Sequence, residues 1–453
     1  MIQKSKFLIA GTIFLPLSVF ADSKASISGS DLKVIEITPE ATTGLNNIMV
    51  AYSTEGCSLK FNTSDGYTAK VYRFSSLGGA YAEEITNIER ETSSVEFTLS
   101  KEDMGYILEE GSSRYYCWVV NYANHKMILE EFFPSADQDC SYSVLNILGS
   151  AGPINYYTIN GQPRVLSREI HLDYTTEVFD ADRKYYEPTE EKKIYESLGT
   201  VVSVTPPAYC STYFTLSGDR FLREWGKEIM AETPYEVTPV AVDCYTEAIQ
   251  EETSDDQPSN VMGGGSSGLG GSAPAEITFY AYTTSGVLHY EWQMSRSQDF
   301  DNPEYRFYQQ DLDYTFTEEG TYFLRFIGSN ADGTCESIGD TYTVTIGASA
   351  LECPNAFSPN DDGVNDIWKV SYRSLIDFHC EIFNRNGQRI YGFDNPADGW
   401  DGTWNGKKVK SGVYYYVITA TGADGQKYKK SGDINIIHSK IYGPASTPSD
   451  GLE

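Results

Sequence analysis

The chain has 453 residues, with 34 Lys or Arg against 64 Asp or Glu, which gives a formal net charge of -30. Its length predicts about three domains, and its acidic excess argues against nucleic-acid and anionic-lipid partners because phosphate groups would be repelled at long range. Aromatic residues make up 13% of the chain, and 34 residues are Tyr against 5 His. This composition favours β-sheet over helical bundles and leaves few histidines for catalysis.

The N-terminus has the pattern of a secretory signal. Lys4 and Lys6 precede an apolar run from Phe7 to Phe20, and Ala21 supplies a small residue at the cleavage position. The run is shorter than the ~20 residues that a transmembrane helix needs. We therefore predict a signal peptide over residues 1–21, whose cleavage leaves an exported protein without a transmembrane segment, at the cell surface or outside the cell.

Export makes the eight cysteines candidates for disulfide bonds, because exported proteins meet an oxidising environment. The sequence contains no CxxC motif and no Cys and His at zinc spacing, so no metal cluster and no organic cofactor is predicted. Sequence alone does not choose among the possible cysteine pairings.

The first block, residues 26–139, is predicted to be an immunoglobulin- or fibronectin-III-like sandwich. Short apolar runs alternate there with turn formers, as is typical of β-sandwiches. Tyr115 lies two residues before Cys117, the placement of a tyrosine corner in immunoglobulin-like domains. No Trp lies between Cys57 and Cys117, which argues against an antibody-type domain.

The second block, residues 140–250, is less regular, and we predict a second β-rich, immunoglobulin-like domain. Residues 189–195 are predicted to form one or two turns of helix. The Gly- and Ser-rich stretch 251–273 has no apolar periodicity and is predicted to be a flexible linker.

The third block, residues 274–348, contains Tyr290-Glu291-Trp292, then Gly320-Thr321-Tyr322, then Asn330-Ala331-Asp332-Gly333. These motifs resemble those of the PKD family, a small immunoglobulin-like sandwich of extracellular proteins. The resemblance implies a spacer or a binding surface and not a catalyst. The predicted fold class is therefore all-β, with tandem immunoglobulin-like or fibronectin-III-like sandwiches joined by a Gly/Ser-rich linker.

The last block, residues 353–439, is a predicted meander of short strands with Asp-Gly and Asn-Gly turns. Its motifs resemble the gliding-motility-associated C-terminal domain, the type B sorting domain of type IX secretion in Bacteroidota. The residues that carry the resemblance are Pro354, Asn355, Phe357, Pro359, Asn360, Gly363, Asn365, Asp366, Phe383, Asn384, Arg385, Gly387, Trp400, Asp401, Gly402, Gly412, Tyr414 and Tyr416.

This resemblance implies export across the outer membrane by the type IX secretion machinery, with the domain as a folded signal. Three features depart from the family pattern. Asp361 stands where the family usually has Gly, Asn386 where it usually has Trp, and a tail, residues 440–453, extends past the usual end. In the run that contains Tyr414 and Tyr416, alternation predicts one face with Val413, Tyr415 and Val417.

One loop carries a candidate calcium site. Asn360, Asp362 and Asp366 place oxygen ligands around a Gly turn, the type of group that calcium prefers. The loop lacks the closing Glu of an EF-hand, and a solvated turn is the alternative.

Three functions remain open. The first is a non-catalytic surface or secreted protein whose N-terminal sandwiches adhere to, or bind, an unidentified protein or glycan. The second is a carbohydrate-binding surface protein. The third is a secreted hydrolase with its active site in residues 140–250, although no nucleophile motif occurs there.

Overall fold

Four β-sheet domains follow one another in the computed structural model, which describes residues 24–250, 261–262 and 268–437. The predicted signal, most of the predicted linker and the predicted tail lie outside these residues. Strands dominate the described chain, and the predicted all-β fold of tandem sandwiches is confirmed. Helices in the described ranges are too short or too polar to traverse a bilayer.

The first domain is an immunoglobulin-like sandwich. Its sheets have the orders β1-β4-β8-β7 and β2-β3-β10-β9-β5-β6, and β3 runs parallel to β10. The strands are β1 (Ala25–Ser28), β2 (Ile35–Ile37), β3 (Asn47–Ala51), β4 (Ser58–Asn62), β5 (Lys70–Phe74), β6 (Glu83–Glu84), β7 (Glu89–Glu91), β8 (Ser94–Thr98), β9 (Met104–Glu110) and β10 (Ser113–Asn121), with 3-10 helices at Ala41–Thr43, Gly79–Tyr81 and Tyr122–His125.

The tyrosine corner of this domain is formed by Tyr106 and not by Tyr115. The Tyr106 hydroxyl accepts a hydrogen bond from the backbone N–H of Ser100 (3.2 Å), across the connection from β8 to β9. Tyr115 lies instead on β10, the last strand of the domain. The prediction at Tyr115 was wrong because it took β10 for the strand that follows the corner.

The second domain has the strand order of a fibronectin-III sandwich. Its sheets are β11-β12-β17 and β16-β15-β18-β19, with a separate β13-β14 hairpin. The elements are β11 (Ile128–Pro134), β12 (Ser143–Ser150), β13 (Ile154–Tyr157), β14 (Pro163–Leu166), β15 (Ile170–Asp180), β16 (Tyr185–Tyr195), β17 (Val201–Val204), β18 (Thr215–Gly218), α1 (Arg220–Glu224) and β19 (Ile229–Glu232).

The helix predicted over residues 189–195 is wrong, because these residues belong to β16. This strand pairs with β15 along its whole length, from Tyr185 to Tyr195. It is an edge strand that is mostly exposed, and the charges at Glu190 to Lys193 protect the edge. Its exposure removes the apolar alternation that would have marked a strand.

The third domain is a second immunoglobulin-like sandwich, with sheets β20-β22-β25 and β21-β28-β26-β23-β24, and β27 paired to β26. The strands are β20 (Cys244–Ile249), β21 (Leu269–Gly271), β22 (Ala275–Thr283), β23 (His289–Ser295), β24 (Tyr305–Phe307), β25 (Leu312–Phe316), β26 (Gly320–Ser329), β27 (Glu336–Ile338) and β28 (Tyr342–Ile346). Trp292 is fully buried, and the Tyr322 hydroxyl donates to the Glu318 carbonyl (2.9 Å) as a tyrosine corner.

The predicted domain boundaries at 139, 250 and 273 need correction. β11 pairs with β12, so residues 128–134 belong to the second sandwich and not to the first block. β20 pairs with β22, so residues 244–249 belong to the third sandwich and not to the second block. β21 pairs in parallel with β28, so residues 269–271 of the predicted linker are also part of that sandwich. The Gly-rich stretch therefore connects two strands of one domain, β20 and β21. Its composition did not indicate that β21 pairs with the distant strand β28.

The fourth domain has a main sheet of order β30-β37-β36-β32-β33 and two smaller pairs, β29-β31 and β34-β35. The strands are β29 (Ala350–Glu352), β30 (Ala356–Phe357), β31 (Ser371–Arg373), β32 (Leu375–Phe383), β33 (Arg389–Phe393), β34 (Thr403–Trp404), β35 (Lys407–Lys408), β36 (Gly412–Gly422) and β37 (Lys427–Ile436).

The first two domains share one hydrophobic core. All five residues of β3 are buried, because one face of its sheet packs inside the first sandwich and the other face packs against the second domain. Val50 and Trp118 lie in the same cluster as Leu216 and Phe221 of the second domain. This continuous apolar contact fixes the two domains against each other.

The later junctions combine covalent and polar contacts. Cys140 and Cys335 form a disulfide between the second and third domains, and the tip of the β15-β16 hairpin stacks Phe179 on Tyr245 with ring centroids 4.3 Å apart. Between the third and fourth domains, the buried Ser374 hydroxyl donates to the Gly347 carbonyl (2.6 Å). All eight cysteines are described, and the other six are unpaired.

Candidate functional site

The motifs predicted in the last block meet at one end of the main sheet of the fourth domain. Phe383 at the end of β32 pairs with Tyr415 near the start of β36, and Gly412 pairs with Ile436 at the end of β37. Phe357 of β30 also pairs with Ile436. Antiparallel pairing thus gathers segments that are far apart in sequence, and we call this region the motif end.

Two buried tryptophans organise the motif end. Trp400 contacts Phe357 and Tyr414, with ring centroids 5.6 Å and 5.3 Å away, while Trp368 contacts Tyr416 at 5.2 Å. Both indoles are fully buried and each donates its N–H to a backbone carbonyl. Trp368 was not among the predicted motif residues, although Trp368, Lys369, Val370, Ser371 and Tyr372 alternate between apolar or aromatic and polar residues, which is a strand signal.

Local turns explain further motif positions. Asn384 Oδ1 accepts the backbone N–H groups of Asn386 (3.0 Å) and Gln388 (3.1 Å), which closes the turn after β32. Asn386 is exposed in that turn, as are Arg385 and Gly387. Gly402 has φ +75°, and a Cβ there would come within 3.0 Å of Pro359. A larger residue at Gly402 would push the turn away from the opening motif.

The remaining motif residues also serve the fold. The Asn355 carbonyl accepts the backbone N–H of Asn435 (2.8 Å), and Asp401 Oδ1 accepts the backbone N–H of Thr403 (2.9 Å). Pro354 supplies the carbonyl that binds Trp368 Nε1 (2.7 Å). The family motif is therefore largely a folding signature, with its exposed members at the turns.

The calcium candidates do not form an oxygen cage. Asp366 Oδ1 accepts the backbone N–H groups of Asn360 (2.8 Å) and Asp361 (2.7 Å), and Oδ2 accepts that of Gly363 (2.7 Å). The Asn360 Nδ2 donates to the Asp362 carboxylate (2.8 Å), and the Asn360 Oδ1 accepts the backbone N–H of Asp362 (3.1 Å). The three residues are thus close together, but their polar atoms close the loop on itself and do not fit a cation between them.

Charge and backbone conformation in this loop agree with that reading. Burial acts to raise the pKa of Asp366, but the three backbone N–H donors outweigh it and hold the pKa below its usual value. Asp361, at the usual Gly position, has φ +63° and pairs through Oδ2 with Lys408 Nζ (2.5 Å). Within the described ranges, no group of three His, Cys, Asp or Glu side chains could hold a metal.

The predicted alternation along β36 is confirmed. Val413, Tyr415 and Val417 are 43%, 46% and 38% exposed, whereas Tyr416 and Ile418 are buried. One face of the strand therefore completes the core, and the other lies on the surface beside the motif end.

The hydrolase hypothesis points to residues 140–250, where the main buried polar cluster is an ion pair. Arg168 and Asp219 are 2% and 0% exposed and lie at the sealed junction with the first domain. Burial, and then the adjacent Asp219 carboxylate, raise the pKa of Tyr122, which donates to Asp219 (3.0 Å). A substrate has no access to these groups, so this cluster fits a structural role.

Comparison with known families defines the class of protein. Residues 351–436 match the CHU_C Type IX secretion signal domain, and residues 133–233 match the Fibronectin type III domain. The chain thus carries tandem sandwiches followed by a type IX secretion signal, which implies contact with the secretion machinery and export from the cell. No curated protein matches the chain.

Two solved structures share low similarity with the chain. Dimeric latent PorU from Porphyromonas gingivalis is 10% identical over 72% of this chain, with a TM-score of 0.16, and the match spans 35% of the PorU chain. The three N-terminal domains of the highly immunogenic outer capsid protein (Hoc) of bacteriophage RB49 are 10% identical over 70% of this chain and 100% of that one, with a TM-score of 0.21. Both values are too low to indicate a shared function.

Proposed function

We propose that this protein is a non-catalytic exported protein whose fourth domain directs type IX secretion and whose sandwiches bind a partner at the cell surface or outside the cell. The observation that carries the proposal is the position of the motif end. The opposite end of the main sheet contacts the third domain, where the backbone N–H of Glu319 donates to the Ala423 carbonyl (3.2 Å). The motif end lies at the other end of the same sheet, where Arg385 and Tyr415 are exposed, and we infer that this surface is the one the machinery contacts.

The contacts between the first three domains support a role in binding at a distance from the secretion signal. A shared core joins the first two domains, and the disulfide between Cys140 and Cys335 joins the second to the third. Domains held in this way keep a distal surface at a fixed distance from the secretion signal. Such an arrangement suits adhesion, because it transmits force without a hinge.

We also propose that the third domain is a PKD-like spacer or binding module. Trp292 fills its core, Tyr322 forms its tyrosine corner, and Asn330 Oδ1 accepts the backbone N–H of Thr334 (2.9 Å) in the turn that contains Gly333. These are the residues on which the sequence resemblance to PKD domains depends.

Export is tested by comparing cells that produce the full chain with cells that produce a chain ending at Gly347. The shortened chain should stay inside the cell envelope, while the full chain reaches the outside. Protease resistance of the retained material shows whether the three sandwiches are folded. Arrival of the shortened chain outside the cell would refute the export role.

Binding is tested separately by the attachment of wild-type cells and of cells lacking the gene to coated surfaces. Weaker attachment of the deleted strain, restored by the full chain, is expected. Equal attachment of both strains would contradict the adhesion role and leave the export result unaffected.

A further inference from the structure

A groove of about 470 Å³ opens on the outer face of the larger sheet of the third domain. β23 and β26 form its floor, and β24 and β27 flank it. Trp292 and Met294 of β23 point into the sandwich core, so the alternate residues Glu291 and Gln293 face the groove. The groove therefore lies on a sheet face that the packing of the four domains leaves open.

Planar polar side chains are fixed in the groove by bonds to one another. Glu291 Oε1 pairs with the Arg306 guanidinium and accepts from Gln293 Nε2 (2.6 Å). Gln293 Oε1 in turn accepts from Arg325 Nε (3.0 Å). Gln293 is only 5% exposed, so its amide is held in one orientation. A connected network of this kind is preorganised to exchange hydrogen bonds with a ligand.

An exposed aromatic ring stands beside this network. Tyr308 lines the groove and is 73% exposed. The apolar face of its ring is therefore available to pack against a ligand. Ile327 adds apolar surface, and Ser329 adds a hydroxyl. A concave site with an apolar platform and a few convergent polar groups is the usual form of a small-ligand site, and its volume lies within the range of about 300–1,000 Å³.

The charges in the groove favour a neutral ligand. Two guanidinium groups, Arg306 and Arg325, match in number the two carboxylates, Glu291 and Glu336. The ring of His289 lies within hydrogen-bonding distance of the Ala331 carbonyl (3.0 Å). The whole chain also carries a net charge of -30, which repels polyanions. A ligand with an apolar ring face could stack on Tyr308, while adjacent hydroxyl groups on the same ligand bond to the polar side chains of the groove.

We propose that this groove binds a neutral glycan, with Tyr308 stacking on a sugar ring and Glu291, Gln293 and Arg306 bonding to its hydroxyl groups. The inference gives the proposed binding role a site and a ligand class, and it rests on that role. The sequence held no signal for this site, because its residues come from separate strands that only the sheet brings together.

The test uses the full purified chain on an array of neutral glycans and in native gels that contain a β-glucan, a xylan, a mannan or, for comparison, dextran sulfate. Binding to at least one neutral glycan is expected. Tyr308→Ala and Glu291→Gln should each weaken that binding by roughly tenfold or more, as loss of a central contact does. Because Tyr308 is largely exposed, its truncation leaves the fold intact, which near-UV circular dichroism checks.

Tyr305→Ala is the matched control. Tyr305 is 52% exposed at the start of β24, three positions before Tyr308, but does not line the groove, so this variant should bind like the wild type. Absence of binding to every neutral glycan, retention by dextran sulfate alone, or equal binding by Tyr308→Ala and the wild type would overturn the proposal. Export is scored on cells with the chain ending at Gly347, so failure of glycan binding is distinguishable from failure of export.

Discussion

Arg168 and Asp219 form a buried ion pair at the boundary between the first two domains, with Arg168 Nη1 2.5 Å from Asp219 Oδ2. Arg168 also donates to the carbonyls of His125 (2.5 Å) and Gly152 (2.7 Å), and Asp219 accepts from Tyr122 and from the backbone N–H of Leu222. These bonds satisfy both charges at a buried site. The pair therefore orients the domains, because its partners come from both of them.

Asp219→Ala should destabilise the first two domains strongly. The substitution leaves the Arg168 guanidinium buried without a counter-charge, which costs about 3–5 kcal/mol. Urea unfolding followed by tryptophan fluorescence measures the change in the free energy of unfolding. Glu83→Ala is the control, because it breaks the exposed pair with Arg73 and should cost about 1 kcal/mol or less. Similar losses in both variants would contradict the structural role of the buried pair.

Cys140→Ser should loosen the junction of the second and third domains. A disulfide that closes so long a loop contributes about 2–4 kcal/mol, and its loss should also speed amide exchange at Ser285, which bonds to Glu177 across the junction. Denaturant unfolding and hydrogen exchange measure the two effects. Cys353→Ser removes an unpaired thiol of the fourth domain, away from this junction, and should change neither. If Cys140→Ser matches this control, the bond does not hold the junction.

Trp400→Ala should unfold the fourth domain and abolish export. The indole is fully buried against Phe357 and Tyr414, and its removal costs about 3–5 kcal/mol. Thermal unfolding of purified protein and fractionation of cells measure stability and export in parallel. Trp404→Ala is the matched control, since Trp404 is 38% exposed and its loss should cost clearly less stability than the loss of the fully buried Trp400. Normal export of Trp400→Ala would show that the folded motif end is dispensable.

The loop closed by Asp366 should open in acid. The backbone donors lower the pKa of this carboxyl in the folded loop, so the folded form binds fewer protons than the unfolded form. Its contribution is present above the ordinary aspartate pKa and is lost as the pH falls through the lowered pKa. NMR of the Asn360 and Gly363 amides from about pH 5 to about pH 2 measures the transition.

Asp366→Asn should remove that pH dependence, because the amide side chain does not titrate in this range. Asp398→Asn, which replaces an exposed aspartate of the same domain, should keep it. Amide shifts that do not move with pH in the wild type would contradict the role of the carboxylate.

The candidate site was partly readable from the sequence. The sequence motifs of the fourth domain indicate its turns and the faces of its strands. The opposite exposure of Tyr415 and Tyr416 follows from the alternation of side chains along a pleated strand. The contact of Phe357 with Trp400 was not readable, because it joins an opening strand to a loop more than forty positions later. The calcium hypothesis depended on oxygen atoms whose orientation only the folded loop sets, as the Nδ2 of Asn360 illustrates.

Local patterns in the sequence by themselves determined the all-β class, the run of sandwiches and the secretion signal domain, because strand alternation and turn chemistry act over a few residues. The tertiary structure alone decided that Cys140 pairs with Cys335, that Tyr106 forms the corner, that β20 belongs to the third domain, and that one core spans the first two domains. Each of these depends on segments that are distant in the chain. The packing of whole sheets decides which of these segments meet, because the hydrophobic effect depends on the apolar area that is buried and not on the separation of residues in the sequence.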